Sequence, residues 1–544
     1  MKILLLLCCV ALCPALEVIE VRWGFGAGPV PDRFNPVSVL VGNSSTEVFE
    51  GELVLRRDQL VGGESLVRRC YLAPSTQRWV PFPVYFGADQ HDWRLAWRSA
   101  RESDAVELHA PNFVAPSIAL IDDGRLSVSG LPRYPSALFP LDAAWCDGLA
   151  VACLDAVPRF DAPQRAAFID WIAGGGVVVL LQGDDQAWPR FPAAWGPLAA
   201  EDGVYGAGRI VRLAGTAREV DLDALVARAE LESLKLGDGS GHLDADWFFQ
   251  MLREQSKPDH NWAIIGLLLV VYILLIGPVA WALGRRRDYR LVNGLVLGSI
   301  VVFSLAVGYM GRRGYGEASA HHAVTVARMV APGRYLVQQW GDQFATIGGV
   351  QALRFEQPAA FSSGESYGES GGRVDLDAGA FVVDIPVFSN RCFVAAGTFR
   401  GPDIVAQVLD PGVQAAGSHV KISGIGRIQG GWMVRDGVIS TVLVTDGNEL
   451  WAKSQTMSFE SFEVEHWSRG DLLREDIARA AVAAGSGVNE ALARPWKRAS
   501  AGRSDPDMLW VWTRDESFVL NEADAGKQMV VYQIPLESEE ANDE

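Results

Sequence analysis

Asp161-Ala162-Pro163-Gln164-Arg165-Ala166-Ala167-Phe168-Ile169-Asp170-Trp171-Ile172-Ala173-Gly174-Gly175-Gly176-Val177-Val178-Val179-Leu180-Leu181 holds a helix start, a helix stop and a buried strand in one short run. Asp161 suits the N-cap, Pro163 the first turn and Gln164 the capping-box position. Ala167, Phe168, Trp171 and Ile172 fall on one helical face, and the three glycines end the helix. Val177 to Leu181 is apolar throughout, as a strand covered on both faces of a parallel sheet must be. Upstream, Ile118-Ala119-Leu120-Ile121 and Leu149-Ala150-Val151-Ala152-Cys153-Leu154 are further short apolar strands. Downstream, Arg209-Ile210-Val211-Arg212-Leu213 reads as an edge strand. The alternation predicts a small doubly wound α/β domain over residues 116–235.

Residues 16–115 carry a different pattern. Val18-Ile19-Glu20-Val21-Arg22-Trp23, Pro36-Val37-Ser38-Val39-Leu40-Val41 and Glu50-Gly51-Glu52-Leu53-Val54-Leu55 are short strands separated by turn formers, which predicts a β-sandwich-like domain. Trp79, Phe82, Tyr85, Phe86, Trp93 and Trp97 suit a sandwich core better than a carbohydrate platform. Residues 312–536 are again β-rich, with Ala380 to Ile385, Val438 to Val444 and Met529 to Ile534 as strands. One helix is expected at about 471–484, and 537–544 is an acidic tail.

Residues 262–283, WAIIGLLLVVYILLIGPVAWAL, and 291–311, LVNGLVLGSIVVFSLAVGYMG, contain no charge. At about 1.5 Å rise per residue each crosses a hydrocarbon layer of about 30 Å. Arg285, Arg286, Arg287 and Arg290 crowd the short connection 284–290, and the positive-inside bias assigns such a loop to the cytoplasm. Gly277-Pro278 should kink the first span, while Asn293 and Ser299 offer hydrogen bonds between the two. Residues 1–15 combine Lys2, an apolar run and small residues, the pattern of a secretory signal; an uncleaved anchor is the alternative. Both large parts are then expected on the extracytoplasmic side of a bacterial inner membrane, with 236–261 as a linker.

The run Leu154-Asp155 … Ala162-Pro163-Gln164 … Phe168 to Val179 resembles the sheet domain of class I glutamine-amidotransferase-like proteins. Followed by the hairpin Tyr272 to Pro278 … Leu283-Gly284-Arg285-Arg286, it is similar to uncharacterised bacterial envelope proteins that join such a domain to a two-helix transmembrane hairpin. The resemblance implies an architecture and no settled activity. Active members place a cysteine on a tight strand-to-helix turn near a histidine. Here the nearest cysteine, Cys153, reads as mid-strand, and 116–235 contains no histidine. A thiolate without an activating base is not expected to catalyse.

The remaining motifs are partial. Asp238, Ser240, Gly241 and Asp244 copy the middle of a calcium loop, but Leu236 and Trp247 stand where its end carboxylates belong. Gly364-Glu365-Ser366-Tyr367-Gly368 matches a nucleophile elbow without the strand and helix that make one. Gly424-Ile425-Gly426-Arg427 lacks the helix a dinucleotide site needs. His321 and His322 have no third ligand at metal spacing and are expected on the surface. Cys70, Cys146, Cys153 and Cys392 form no disulfide framework and read as buried thiols.

The whole chain of 544 residues is 49% hydrophobic and 21% charged, with a formal net charge of −18 from 66 acidic and 48 basic residues. That excludes a mainly disordered protein and argues against a nucleic-acid partner. With no catalytic, cofactor or metal site expected, the sequence is read as a multidomain, membrane-anchored scaffold or binding component. Its exported modules would engage an envelope protein partner, possible settings being transport or envelope assembly. The alternatives are an exported enzyme on the amidotransferase-like sheet and a glycan-binding protein. If the arginine cluster sets orientation, replacing Arg285, Arg286, Arg287 and Arg290 together by Gln will give a mixed orientation of a C-terminal reporter. A uniform orientation in that variant would assign the role to the first 15 residues instead.

Overall fold

The computed structural model describes residues 16–26, 28–57, 63–87, 92–100, 103–114, 117–122, 131–199, 203–220, 249, 252–253, 262–285, 289–315, 319–363, 371–410, 419–435, 438–445, 449–457, 508–513, 518, 520 and 528–536. The first 15 residues, the calcium-loop-like segment, the Ser366 elbow motif, the helix expected at 471–484 and the acidic tail lie outside them.

The helix predicted at the outset is Ala162–Ala173. Asp161 accepts from the Gln164 N–H at 2.9 Å, and the Gln164 side chain accepts from the Asp161 N–H at 3.1 Å, so the capping box closes. Phe168, Trp171 and Ile172 are buried, and the Trp171 Nε1–H donates to the Leu149 carbonyl at 3.1 Å. Gly176 has no room for a side chain: a Cβ there would lie 2.5 Å from the Trp171 ring.

This helix connects Leu149–Leu154 to Val177–Gln182, which pair in parallel. Ser117–Asp122 pairs in parallel on one side and Gly208–Thr216 on the other. Two short strands complete a six-stranded sheet, Arg133–Pro135 beyond Ser117–Asp122 and Gly203–Tyr205 beyond Gly208–Thr216. Gly208–Thr216, expected at the edge, is therefore interior. The antiparallel Gly203–Tyr205, too short to show a period, covers it.

An eleven-stranded sheet forms the central layer. Counted from the edge strand Ala360–Ser363, its second to fifth strands are Ser389–Arg400, Arg334–Ala345, Ala320–Ala331 and Gln528–Pro535 in that order. Residues 391–397 are all buried, so the strand is covered on both faces. Cys392, Val394 and Ala396 pack in the core shared with Phe168, Trp171 and Trp195 of the α/β layer. Phe393, Ala395 and Phe399 pack oppositely, with Val37, Phe82 and Trp97 of the amino-terminal strands. One sheet thus serves as a wall of two cores.

The amino-terminal strands belong to two sheets. Leu16–Trp23, Arg33–Asn43 and Gln77–Phe86 make a three-stranded antiparallel sheet. A seven-stranded sheet runs Gly349–Arg354, Ala380–Ile385, Arg373–Asp375, Ser65–Leu72, Phe49–Arg57, Trp93–Ser99, Ser103–Leu108. The join is a parallel pairing of Arg373, Val374 and Asp375 with Ser65, Leu66 and Val67. Segments 16–115 and 312–536, read from sequence as separate units, share this sheet; pairing between strands about three hundred residues apart leaves no local signature.

Among the described residues two helices are long and apolar enough to cross a membrane, Ala263–Gly284 and Tyr289–Tyr309. Gly277-Pro278 sits in a π turn, Leu275–Val279, where the Ala280 N–H reaches back to the Leu275 carbonyl. The lost proline donor is absorbed there. Tyr272 and Phe303 meet across the pair with ring centroids 5.0 Å apart. Ser299 donates within its own helix to the Val296 carbonyl at 2.8 Å, not across the pair.

Replacing Trp171 by Phe removes the N–H that donates to the Leu149 carbonyl together with part of a buried ring. The expected cost is about 1–2 kcal/mol, or roughly 5–30-fold faster hydrogen exchange in 149–154, read by mass spectrometry.

Candidate functional site

The α/β layer meets the central sheet along a seam of charged groups. Asp142 precedes the 3-10 turn Ala143–Cys146 and accepts from the Ala144 N–H at 2.9 Å. The same carboxylate accepts from the Thr398 hydroxyl at 2.9 Å and the Thr398 N–H at 3.2 Å, within the strand Ser389–Arg400. One helical element away, Asp170 pairs with the Arg334 guanidinium. Arg328 donates to the carbonyl of Gly174, the residue that ends the helix, at 3.2 Å. Arg33 reaches the carbonyl and the carboxylate of Asp147, each at 3.3 Å.

Burial governs the protonation of these groups. Loss of water pushes Asp170 up from 3.8 to about 6; the Arg334 charge opposes the rise, and the Asp142 charge adds to it. Asp142 is raised by burial, against its three hydrogen bonds and the Arg334 charge. Burial likewise lowers Arg328. Charged contacts at such an interface stabilise little net of desolvation, but they penalise any other docking register.

A second buried contact fastens the amino-terminal strands to the central sheet. Glu64 accepts from the Ser362 hydroxyl at 2.7 Å and from Arg57 at 3.3 Å. Burial raises the Glu64 carboxyl despite both partners. Nearby, the Arg69 N–H donates to Asp377 at 2.7 Å, and Arg373 pairs with Glu52 at 3.2 Å.

The carboxyl ends of the parallel strands are where sheets of this type usually hold ligands. Here Asp122 pairs with Arg133 at 3.3 Å, and the Gln182 amide spans two turns, accepting from Gly215 and donating to the Gln186 carbonyl. Cys153 lies inside the strand Leu149–Leu154, fully buried, and burial together with Asp155 pushes its thiol far up. It occupies no strand-to-helix turn, and no imidazole belongs to this domain.

The other expected sites are distributed as follows. Phe82, Tyr85, Phe86, Trp93 and Trp97 are buried and Trp79 is half-buried with Arg22 over its ring, so these aromatics form core, not a platform. Cys70, Cys146, Cys153 and Cys392 are buried thiols, that of Cys392 donating to Asp342 at 3.4 Å. His321 and His322 are buried, contrary to the surface position expected. They lie in Ala320–Ala331 opposite Gln343 and Asp342, and His321 stacks on Phe393. Burial and the neighbouring His322 lower His321 to about 4. Among the described residues no group of three or more His, Cys, Asp and Glu side chains could hold a metal. Gly424-Ile425-Gly426-Arg427 links two strands, with no helix following. Arg285 is exposed with its guanidinium 3.8 Å from the Trp281 ring centroid, Arg290 is exposed at the start of the second apolar helix, and Arg286 and Arg287 lie outside the described residues.

Sequence reasoning missed the seam. One signal was present: Asp170 shares the helical face of Ala167 and Trp171, and an acid on an apolar face calls for a buried partner.

No protein family matches the chain, and no curated protein matches it either. Among solved structures, the chain is similar to a cycloisomaltooligosaccharide glucanotransferase of Paenibacillus sp. at 8% identity, covering 81% of this chain and 99% of that one with a TM-score of 0.16. A calcium-binding mutant of Bacteroides uniformis beta-glucuronidase 2 aligns at 8% identity over 82% of this chain and 65% of that one, with a TM-score of 0.12.

The raised Asp170 value fixes a sign. Between 3.8 and about 6 the folded chain holds a proton that the unfolded chain has released, so stability falls as pH rises through that window. Hydrogen exchange in 162–173, corrected for intrinsic rates, should therefore be faster at about pH 7.5 than at about pH 5, and Asp170→Asn should shrink the difference.

Proposed function

We propose that this chain is a non-enzymatic, membrane-anchored scaffold whose folded body lies outside the cytoplasm and binds a protein partner of the cell envelope. The observation that supports the topology in this reading is the pairing of Arg373–Asp375 with residues 65–67. Strands before and after the two apolar helices complete one sheet, so both flanks must lie on the same side of any membrane that the helices cross. A hairpin with an arginine-rich connection satisfies this and directs the body outward. The topology-setting residues are Arg285, Arg286, Arg287 and Arg290.

Mid-strand burial of Cys153 supports a body without thiol chemistry. The charged seam supports a body held rigid, which suits a component that presents surfaces.

Crosslinking in native membranes, followed by purification of the full chain, should recover a specific envelope protein in stoichiometric yield. Recovery of the chain alone, at every crosslinker length, would refute the scaffold reading. A hydrolytic activity abolished by Cys153→Ala would favour the enzyme instead.

A further inference from the structure

Resting on the membrane-anchored reading, we infer that the folded body makes a second contact with the lipid bilayer, through an apolar tip formed by Ile347, Val350, Val387 and Phe388. These side chains are 80%, 73%, 58% and 57% exposed, among the largest apolar exposures outside the two spanning helices. The tip joins the turn between Arg334–Ala345 and Gly349–Arg354 to the turn between Ala380–Ile385 and Ser389–Arg400.

The two turns are built to sit together. A Cβ on Gly348 would lie 2.7 Å from the Val387 nitrogen and 3.1 Å from the Ile385 carbonyl oxygen, so only glycine permits this approach. The Phe388 N–H donates to the Ala345 carbonyl at 2.8 Å. Phe388 itself has a φ of 56°, a left-handed conformation that bulky side chains rarely adopt. The fold holds an exposed phenylalanine in a strained turn.

Chain connectivity identifies what covers this tip. The second apolar helix ends at Tyr315 and the strand Ala320–Ala331 begins five residues later, a separation of at most about 18 Å. Ala320 pairs with Phe344, and Ala345 pairs with Ser389. The end of the sheet that carries both turns is therefore the end nearest the membrane, and Ile347 lies two residues beyond it. The chemistry matches: residues 343–353 and 385–390 contain no charge, while Asp342, Arg354, Asp384 and Arg391 flank them. An uncharged apolar tip at a bilayer surface buries its exposed area in the interface without desolvating an ion.

The opposite end supplies a control. Ser65–Leu72 runs parallel to Arg373–Asp375, so Tyr71, which is exposed, lies at the far end of the body. The full chain is placed in phospholipid nanodiscs at one copy per disc. A benzophenone amino acid replaces Phe388, Ile347, Leu297 of the second apolar helix or Tyr71 in separate variants, and adducts are weighed after irradiation. Phospholipid adducts at Phe388, Ile347 and Leu297, and none at Tyr71, are expected. A lipid adduct at Leu297 with none at Phe388 or Ile347 would overturn the second contact and leave the anchoring intact. No lipid adduct at any of the four would overturn the anchoring as well. Capture of a second copy at Phe388 in discs holding two chains, without lipid capture in single-copy discs, would reassign the tip to self-association.

Discussion

The structure depends on one constraint: the strand Ser389–Arg400 and its neighbours are apolar on both faces, and each face must be covered. The cover of the first face comes from sequence that precedes the two apolar helices, and that of the second from both sides of them. The α/β layer supplies Phe168, Trp171 and Trp195 to one face, and the amino-terminal strands supply Val37, Phe82 and Trp97 to the other. Phe381 of the strand Ala380–Ile385, from the carboxy-terminal part itself, also packs on that second face, its ring centroid 6.2 Å from that of Phe393. Removing either cover would expose a face far larger than a soluble body tolerates.

Apolar burial alone would let the layers slide, because dispersion and the hydrophobic effect are weakly directional. The polar contacts remove that freedom. Thr398 offers two donors to Asp142, while Arg334 and Arg328 engage the helix from one strand hairpin. On the opposite face, Ser362 fixes Glu64. Each leaves a buried group without its partner if the layers shift by one residue, a cost of several kcal/mol against the small net gain of the contact itself. Burial holds Asp142, Asp170 and Glu64 closer to neutrality than surface carboxylates, so the same contacts that specify register also make it sensitive to pH.

Local features were legible in the sequence. The capping box at Asp161 and Gln164, the all-apolar runs at 149–154 and 177–181, and the two apolar helices each follow from residues within one element. The errors arose where the deciding partner is remote. His321 and His322 look like surface residues until the sheet pairs them with Gln343 and Asp342. Gly208–Thr216 looks like an edge because its cover, Gly203–Tyr205, is too short to show a period. The shared sheet was invisible for the same reason. Nothing in Ser65 to Val67 specifies Arg373 to Asp375, since strand pairing is selected by cross-strand packing and burial that no local stretch encodes.

That selection poses a search problem, and the two apolar helices bear on it. Asp142 must find Thr398 across 256 residues, and Glu64 must find Ser362 across 298. For a free chain, closing loops of this length slows folding more than it weakens the product, because the entropy of closure is lost before the contacts form. A membrane hairpin changes the geometry of the search. Its two outer ends emerge side by side at one surface, so the chain before the first helix and the chain after the second start from neighbouring points. The effective loop is then measured from those points, not along the full sequence. For Asp142 it shortens to the residues from there to Trp262 plus the residues from Tyr315 to Thr398. In the membrane-anchored arrangement the hairpin is thereby a folding clamp as well as a tether.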